Sequence, residues 1–260
     1  MSASVGIVIP AYRPDLDRLA SYVAAIRAEL SPATVLVEVD APTAETEAAL
    51  AEMPVTVHAA AERRGKGAAI TAGFERLETD VLAFADADGS TPAPSLAEVV
   101  APAATGDAEV AVGSRRHPDA DVATHQTYAR RWLGDGFAWL ARRLLSVPLY
   151  DYQCGAKAVT RDAWKRVRGH LYEPGFAWDV EFVAMAGALG CGVAEVPVRW
   201  EDQPGSTVSP LGTAVDLFRA LLAVRHREKL LADHPLHSVV AARRDRPAAL
   251  VDRVEGARDE

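Results

Sequence analysis

The run Val81-Leu-Ala-Phe-Ala85, followed at once by Asp86-Ala-Asp88-Gly89, constrains this chain more than any other stretch. Five apolar residues without polar alternation predict a strand buried on both faces of a parallel sheet. Pro92 and Pro94 stop that strand from continuing. Two carboxylates therefore fall at the carboxyl end of a central strand, where open α/β sheets bind ligands. Left unpaired there, they would repel each other and lose hydration. A divalent cation relieves both costs. Hard oxygen ligands suit Mg²⁺ or Mn²⁺, ions that keep positions open for substrate phosphates. The same four residues also suit a turn capping the next helix, since Asp and Gly are turn formers in any case.

The first half of the chain alternates short apolar runs with helical patterns, which predicts βαβ units. Strands are expected at 5–9, 34–39, 55–58, 81–85 and 108–113, with helices at 16–30 and from Gly65-Lys66-Gly67 through Phe74. Beyond Arg115 the pattern changes. A polar loop is expected at 117–126 and a long helix at 128–145, with Leu133, Phe137, Leu140 and Leu144 on one stripe. An extended segment follows at 152–160, then a helix at 178–189, a strand at 193–200 interrupted by Pro197, and an amphipathic helix at 217–231. No repeat or low-complexity linker divides the chain, which favours one domain with a functional C-terminal half.

Net charge is −8, which argues against a general nucleic-acid binder. The charge is uneven: residues 115–168 carry eleven Arg and Lys against five Asp and Glu, a local +6, leaving −14 for the remainder. Such a segment suggests a face that meets anions, or simply a solvated basic helix. The N-terminal residues lack a basic segment and lead straight into a strand, so no secretory signal is expected. The charge-free run 182–194 has 13 residues and three glycines, too short to span a bilayer. Cys154 and Cys191 have no metal-ligand spacing and are expected as reduced, buried thiols of a cytoplasmic protein.

Strands one, two and four end in motifs that parallel pairing would bring to one sheet edge: Pro10-Ala-Tyr12, Asp40 and Asp86-Ala-Asp88. Neither a dinucleotide-binding G-x-G-x-x-G nor a P-loop is present. Arg63-Arg-Gly-Lys-Gly67 offers cations and close backbone approach at a helix N-terminus, an anion site or an ordinary turn.

Taken in order, Val8-Ile-Pro-Ala-Tyr12, Asp40, Arg64-Gly-Lys-Gly67, Asp86-Ala-Asp88, Gly113-Ser-Arg115, Gln153-Cys-Gly155, Trp178-Asp-Val-Glu181 and Pro204-Gly-Ser206 resemble the motifs of family 2 glycosyltransferases of GT-A fold. The resemblance covers roughly residues 5–210 and is closest to the dolichyl-phosphate glucosyltransferases, then the polyprenyl-phosphate mannose synthases. Gln153-Cys-Gly-Ala-Lys157 and 200–206 are its more specific pieces.

That resemblance implies an α/β fold with a mixed, mainly parallel nucleotide-binding sheet flanked by helices. It implies a GT-A domain at 1–210 and a C-terminal amphipathic helix and charged tail at 211–260. Asp40 matches the position that reads the nucleotide base, and Pro10, Tyr12, Lys66 and Gln153 fall among the substrate-binding positions. Asp86 and Asp88 match the pair meeting ribose and the metal diphosphate, hence metal ligands for Mg²⁺ or Mn²⁺. Arg115 and Arg131 match basic positions facing the phosphates of donor or lipid acceptor, and Asp179 and Glu181 the acidic catalytic pair. The alternative reading of that last pair is an acidic first turn that complements the helix dipole. Three positions depart from the pattern: Val39 where an aspartate is usual, Ser90 where mannose synthases carry Gln, and Thr207 where many relatives have Lys.

The reaction so implied is inverting, metal-dependent transfer of a hexose from a nucleotide diphosphate sugar, UDP-glucose ahead of GDP-mannose, to a polyprenyl (dolichyl) phosphate. It is expected in the cytoplasm or peripherally at the cytoplasmic membrane face, with helices 128–145 and 217–231 as the parts meeting lipid. Two alternatives stand beside it: transfer to a soluble hydroxyl, with Asp179 as a true base, and a non-catalytic nucleotide-sugar-binding subunit. Oligomeric state is not legible in the sequence.

Overall fold

Strand β1 (Val5–Ala11) lies between β2 (Thr34–Asp40) and β4 (Val81–Ala85) and runs parallel to both. Strand β3 (Thr56–Ala60) extends the parallel set beyond β2. On the other side β7 (Ala156–Thr160) is antiparallel to β4 and to β5 (Val110–Ser114), and β8 (Val193–Pro197) closes the sheet parallel to β5. The order is β3-β2-β1-β4-β7-β5-β8. A separate parallel pair joins β6 (Asp121–Val122) to β9 (Arg199–Trp200). This computed structural model describes residues 3–122, 128–201, 210–232 and 248–256, and the side chains of 128–133, 210–215 and 255–256 fall outside that description.

Both faces of the sheet are covered, as a parallel sheet requires. Successive side chains point to opposite faces, so Ile7 and Ile9 join one apolar layer and Val8 the other. The first layer packs on α1 (Leu16–Leu30), α2 (Ala44–Ala51) and α4 (Ala93–Thr105) through Leu19, Val23, Leu50, Leu96 and Val99. The second packs on α3 (Lys66–Arg76), α5 (Tyr128–Leu144), α6 (Arg161–Val167), α7 (Trp178–Ala188), α8 (Pro210–Leu231) and α9 (Leu250–Gly256). Its centre is aromatic. Trp178 stacks on Phe182 at 4.9 Å and meets Phe84 edge-on at 5.6 Å. Burying such rings contributes about 3 kcal/mol each.

The structure differs from the sequence expectations in several places. The prolines that end β4 also begin α4: Pro92 is its N-cap and Pro94 sits in the first turn, where a missing N–H has no helical partner to lose. Helix α2 is short and weakly amphipathic, so its periodicity gives little signal. Residues 151–155 form a loop and only Ala156–Thr160 pair as a strand. The segment 193–200 is two strands in two sheets, because beyond Pro197 the chain leaves β5 and pairs with β6 instead. Helix α8 starts at Pro210, seven residues before the expected 217. It joins the main core, with Leu221 and Val224 fully buried, while Phe218 and Leu222 are about half exposed. No helix among the described residues is long and apolar enough to cross a membrane.

Candidate active site

Because β1, β2, β4 and β5 are parallel, their carboxyl ends share one edge of the sheet. Antiparallel β7 delivers its N-terminal loop, Asp151–Gly155, to the same edge beside β4. The Asp86 N–H donates to the Gly155 carbonyl at 2.9 Å, placing the Gln153-Cys-Gly155 loop against the carboxylate pair.

Lys66 opens α3 at this edge. Its ammonium donates to Asp86 Oδ1 at 2.9 Å and to Asp179 Oδ2 at 2.9 Å. The start of α3 comes this close because Gly65 and Gly67 carry no side chain. A Cβ on Gly67 would stand 2.4 Å from Trp178 Cβ, and one on Gly65, whose φ is +100°, would stand 2.6 Å from the Pro174 carbonyl oxygen. That carbonyl accepts from the Ala68 N–H at 3.0 Å and holds the helix start on the loop before α7.

Asp179 lies in the first turn of α7, 2 % exposed, and its second oxygen accepts from Lys157 Nζ at 2.5 Å. Lys157 also donates to the Cys154 carbonyl at 2.8 Å. Both ammoniums lie over the face of Phe84, at 5.1 Å for Lys66 and 5.5 Å for Lys157. Burial alone would raise the Asp179 carboxyl, but Lys157 and Lys66 outweigh it and hold the group below the usual carboxylate range. Asp86 shifts the other way: burial raises it, Lys66 opposes, and Asp88 and Asp179 add repulsion. Lys66 itself is raised, the two aspartates outweighing its burial.

Asp88 is exposed, with Oδ1 accepting from the Ser90 N–H at 2.9 Å. Ser90, which replaces a metal-ligand position in the resemblance, is buried. Among the described residues no three His, Cys, Asp or Glu side chains converge as a metal cage. A pair of hard carboxylate oxygens at a strand end nonetheless fits Mg²⁺ or Mn²⁺, which take one or two carboxylates and leave other positions to phosphates and water.

Other sequence-designated residues surround this centre. Asp40, 2 % exposed, accepts from the Arg64 N–H at 2.8 Å, the Gly65 N–H at 2.9 Å and Arg64 Nε at 2.8 Å, so it fixes the loop that leads into Lys66. Tyr12 follows β1 and Pro10, with the Arg63 guanidinium 4.2 Å above its ring. Arg115 follows β5 and is clamped by buried Asp151, with Nε at 2.7 Å and Nη2 at 3.1 Å. Gln153 is half-buried, its N–H on Asp151 Oδ1 at 3.0 Å.

Glu181 is not brought to this centre. Two residues along a helix from Asp179, it points to another side. It accepts from the Tyr172 and Glu173 N–H groups at 2.7 and 2.8 Å and pairs with Arg227 of α8. Its carboxyl is raised by burial against those partners. The side chain of Arg131 and residues 204–207, which include Thr207, lie outside the described residues. Sequence reasoning named Gly155 and Lys157 only as parts of a motif, without a role at the site, and gave no site role to Phe84 or Asp151. The signal for Lys157 was present: a lysine flanked by alanines within an otherwise apolar strand has no solvent face and needs a buried anion.

Several known proteins share this architecture. Glucosyl-3-phosphoglycerate synthase from Mycobacterium tuberculosis, in a complex with Mn²⁺, UDP-glucose and phosphoglyceric acid, superposes with a TM-score of 0.66 over 86 % of this chain and 80 % of that one, at 15 % identity. Mannosyl-3-phosphoglycerate synthase from Rubrobacter xylanophilus gives 0.66 over 89 % and 76 %, at 17 % identity. At such identities the likeness is one of fold. In sequence, the glycosyltransferase AglD of Haloferax volcanii is 30 % identical over 85 % of this chain and 35 % of its own length. The dolichyl-phosphate beta-glucosyltransferase of Mus musculus is 32 % identical over 63 % of this chain and 52 % of its own. The chain thus spans about half or less of the length of these two relatives. The sequence profile of glycosyl transferase family 2 matches residues 6–167, more than half of the chain, and the protein belongs to that family.

Proposed function

We propose that this protein transfers a hexose, glucose foremost, from a nucleotide diphosphate sugar to a polyprenyl phosphate of the dolichyl type, with inversion at the anomeric carbon. The observation that carries the proposal is the convergence of Asp86, Asp88, Lys66 and the Gln153–Gly155 loop on one sheet edge. It occurs in a chain whose relatives include dolichyl-phosphate beta-glucosyltransferases.

Asp88 and Asp86 would hold a divalent ion, which when bound supplies charge neutralisation for the departing diphosphate. The chain's own residues do the rest. Tyr12 and Arg63 form a flat cationic wall beside β1, suited to a base or sugar ring. Asp40 holds the Arg64–Gly65 turn and through it the position of Lys66. Arg115 presents a fixed cation at the end of β5, kept in place by Asp151. A phosphate monoester has a second pKa of about 6, so its oxygen is already anionic near neutrality. Transfer to it needs no strong base, which agrees with an Asp179 whose two oxygens are already taken by ammoniums. Asp179 is therefore read as a positioning group.

Contact with the membrane surface belongs to the same proposal. Phe218 and Leu222 on α8 and Trp139 on α5 are exposed, with Arg219, Arg142 and Arg143 nearby in sequence. This is the pairing of apolar and basic groups that suits an anionic interface.

The deciding experiment incubates the protein with a panel of labelled nucleotide sugars, Mg²⁺ or Mn²⁺ and polyprenyl phosphates, then partitions label into organic solvent. Metal-dependent label from UDP-glucose in the organic phase is expected. Label found only in water-soluble products would overturn the lipid acceptor.

A further inference from the structure

We propose that Lys157 is a positioning residue: its buried ammonium fixes Asp179, and Asp179 in turn fixes the Lys66 ammonium against Asp86. The catalytic part of this inference rests on the transfer reading above.

Four charges alternate in one connected line. Lys157, 1 % exposed, donates to Asp179 Oδ1 at 2.5 Å, and Lys66 takes the other oxygen, Oδ2, at 2.9 Å. Lys66 then reaches Asp86 Oδ1 at 2.9 Å. Each Asp179 oxygen thus serves one lysine, and the carboxylate cannot turn without releasing both. The line is neutral as a whole. It starts in the core, on a strand whose neighbours on both sides are fully buried, and ends at Asp86, the only member with more than a tenth of its side chain exposed (37 %).

Stability does not account for such an arrangement. Burying charges is costly, and replacing a buried ion pair by apolar groups of like volume is often neutral or stabilising. What the line achieves is orientation. The backbone at Lys66 is fixed by the packing of α3 on Pro174 and Trp178, but its four-carbon stem is flexible and its ammonium would otherwise wander. Held by Asp179, it stands beside the carboxylate at the strand end. Lys157 also donates to the Cys154 carbonyl at 2.8 Å, so the same group ties the β7 loop into the arrangement.

The test compares the wild type with the double variant Lys157→Met/Asp179→Asn, which removes one charge of each sign and keeps the buried segment neutral. Three quantities are read: the melting temperature, the labelling rate of each lysine by an amine-reactive reagent followed by mass spectrometry without substrates, and kcat/KM with UDP-glucose and a polyprenyl phosphate. In the wild type, Lys66 should label far more slowly than exposed Lys165. Equal rates would overturn the proposal without any variant. The double variant is expected to fold, to label Lys66 about tenfold faster and to lose on the order of 10²-fold in kcat/KM, the scale of a misplaced group in a reacting site. A folded double variant with wild-type Lys66 labelling, or with unchanged kcat/KM, overturns the positioning role. A wild type inert toward every nucleotide sugar overturns the transfer reading instead. Slow Lys66 labelling that rises in the double variant then still supports the positional claim.

Discussion

The Asp86 carboxylate fills the space that a side chain on residue 155 would need: a Cβ on Gly155 would stand 2.1 Å from Asp86 Oδ2 and 3.1 Å from its Cβ. Asp86 is thus set by two neighbours, the Lys66 ammonium on one oxygen and the bare Cα of Gly155 behind the other.

Gly155→Ala should accordingly push the carboxylate off Lys66 while leaving the sheet intact, since the clash is with a side chain. We expect a loss of about 10²-fold in transfer, by the same displacement argument, with little change in melting temperature. Circular dichroism and the partition assay check this together, and full activity in the alanine variant would show that Asp86 tolerates another pose.

Asp88 presents the more exposed carboxylate of the pair, and Asp88→Ala should remove transfer by on the order of 10³-fold, several kcal/mol of charge stabilisation. EDTA should do the same to the wild type, with recovery on adding Mn²⁺ or Mg²⁺. Near-normal turnover in either case contradicts the metal assignment.

The Arg115–Asp151 clamp predicts an acid-sensitive component of stability. Asp151 is buried, which alone would raise its carboxyl, but Arg115 and Arg116 outweigh burial and hold it well below the ordinary 3.8. A depressed carboxyl stabilises the fold fully above 3.8 and loses that contribution as pH falls below it. Glu181 and Asp86, both raised, shift with the opposite sign. Comparing urea unfolding of the wild type and Asp151→Asn from pH 6 to pH 2.5 cancels those common terms. The variant should be about 3 kcal/mol less stable at pH 6, the usual cost of leaving buried charge without its partner. The gap should narrow below pH 4; a constant gap would refute the depressed carboxyl.

For the membrane face, flotation with anionic liposomes should recover the wild type at low salt and release it at high salt. Each basic residue near such a surface contributes about 1 kcal/mol and is screened. Phe218→Ser/Leu222→Ser should weaken flotation without unfolding the protein, because both side chains are about half exposed while Leu221 and Val224 carry the packing. A folded wild type that stays with the unbound fraction at low salt would remove the interfacial reading.

The strand-end carboxylates, the parallel first half and the Lys66 turn were all legible in the sequence, because each is written locally. An apolar run has a period, a proline stops it, and glycines mark a tight approach. What only the tertiary structure decided is who faces whom. Asp179 and Glu181 look like one acidic pair in sequence, yet on a helix they point to different sides. One meets Lys66 and Lys157, and the other holds α8 through Arg227. Lys157 stands out in sequence as a lysine in an apolar strand that needs a buried anion. Which anion it meets is decided only when β7 inserts antiparallel between β4 and β5, a pairing with 70 residues of chain between Ala85 and Ala156 that no local pattern encodes. Helix α8 shows the same limit: its amphipathic pattern gives an apolar face, and only packing reveals that Leu221 and Val224 are buried in the core while Phe218 and Leu222 are left outside. Periodicity fixes which residues must leave water; the long-range pairing of strands and helices fixes which buried charges then find one another.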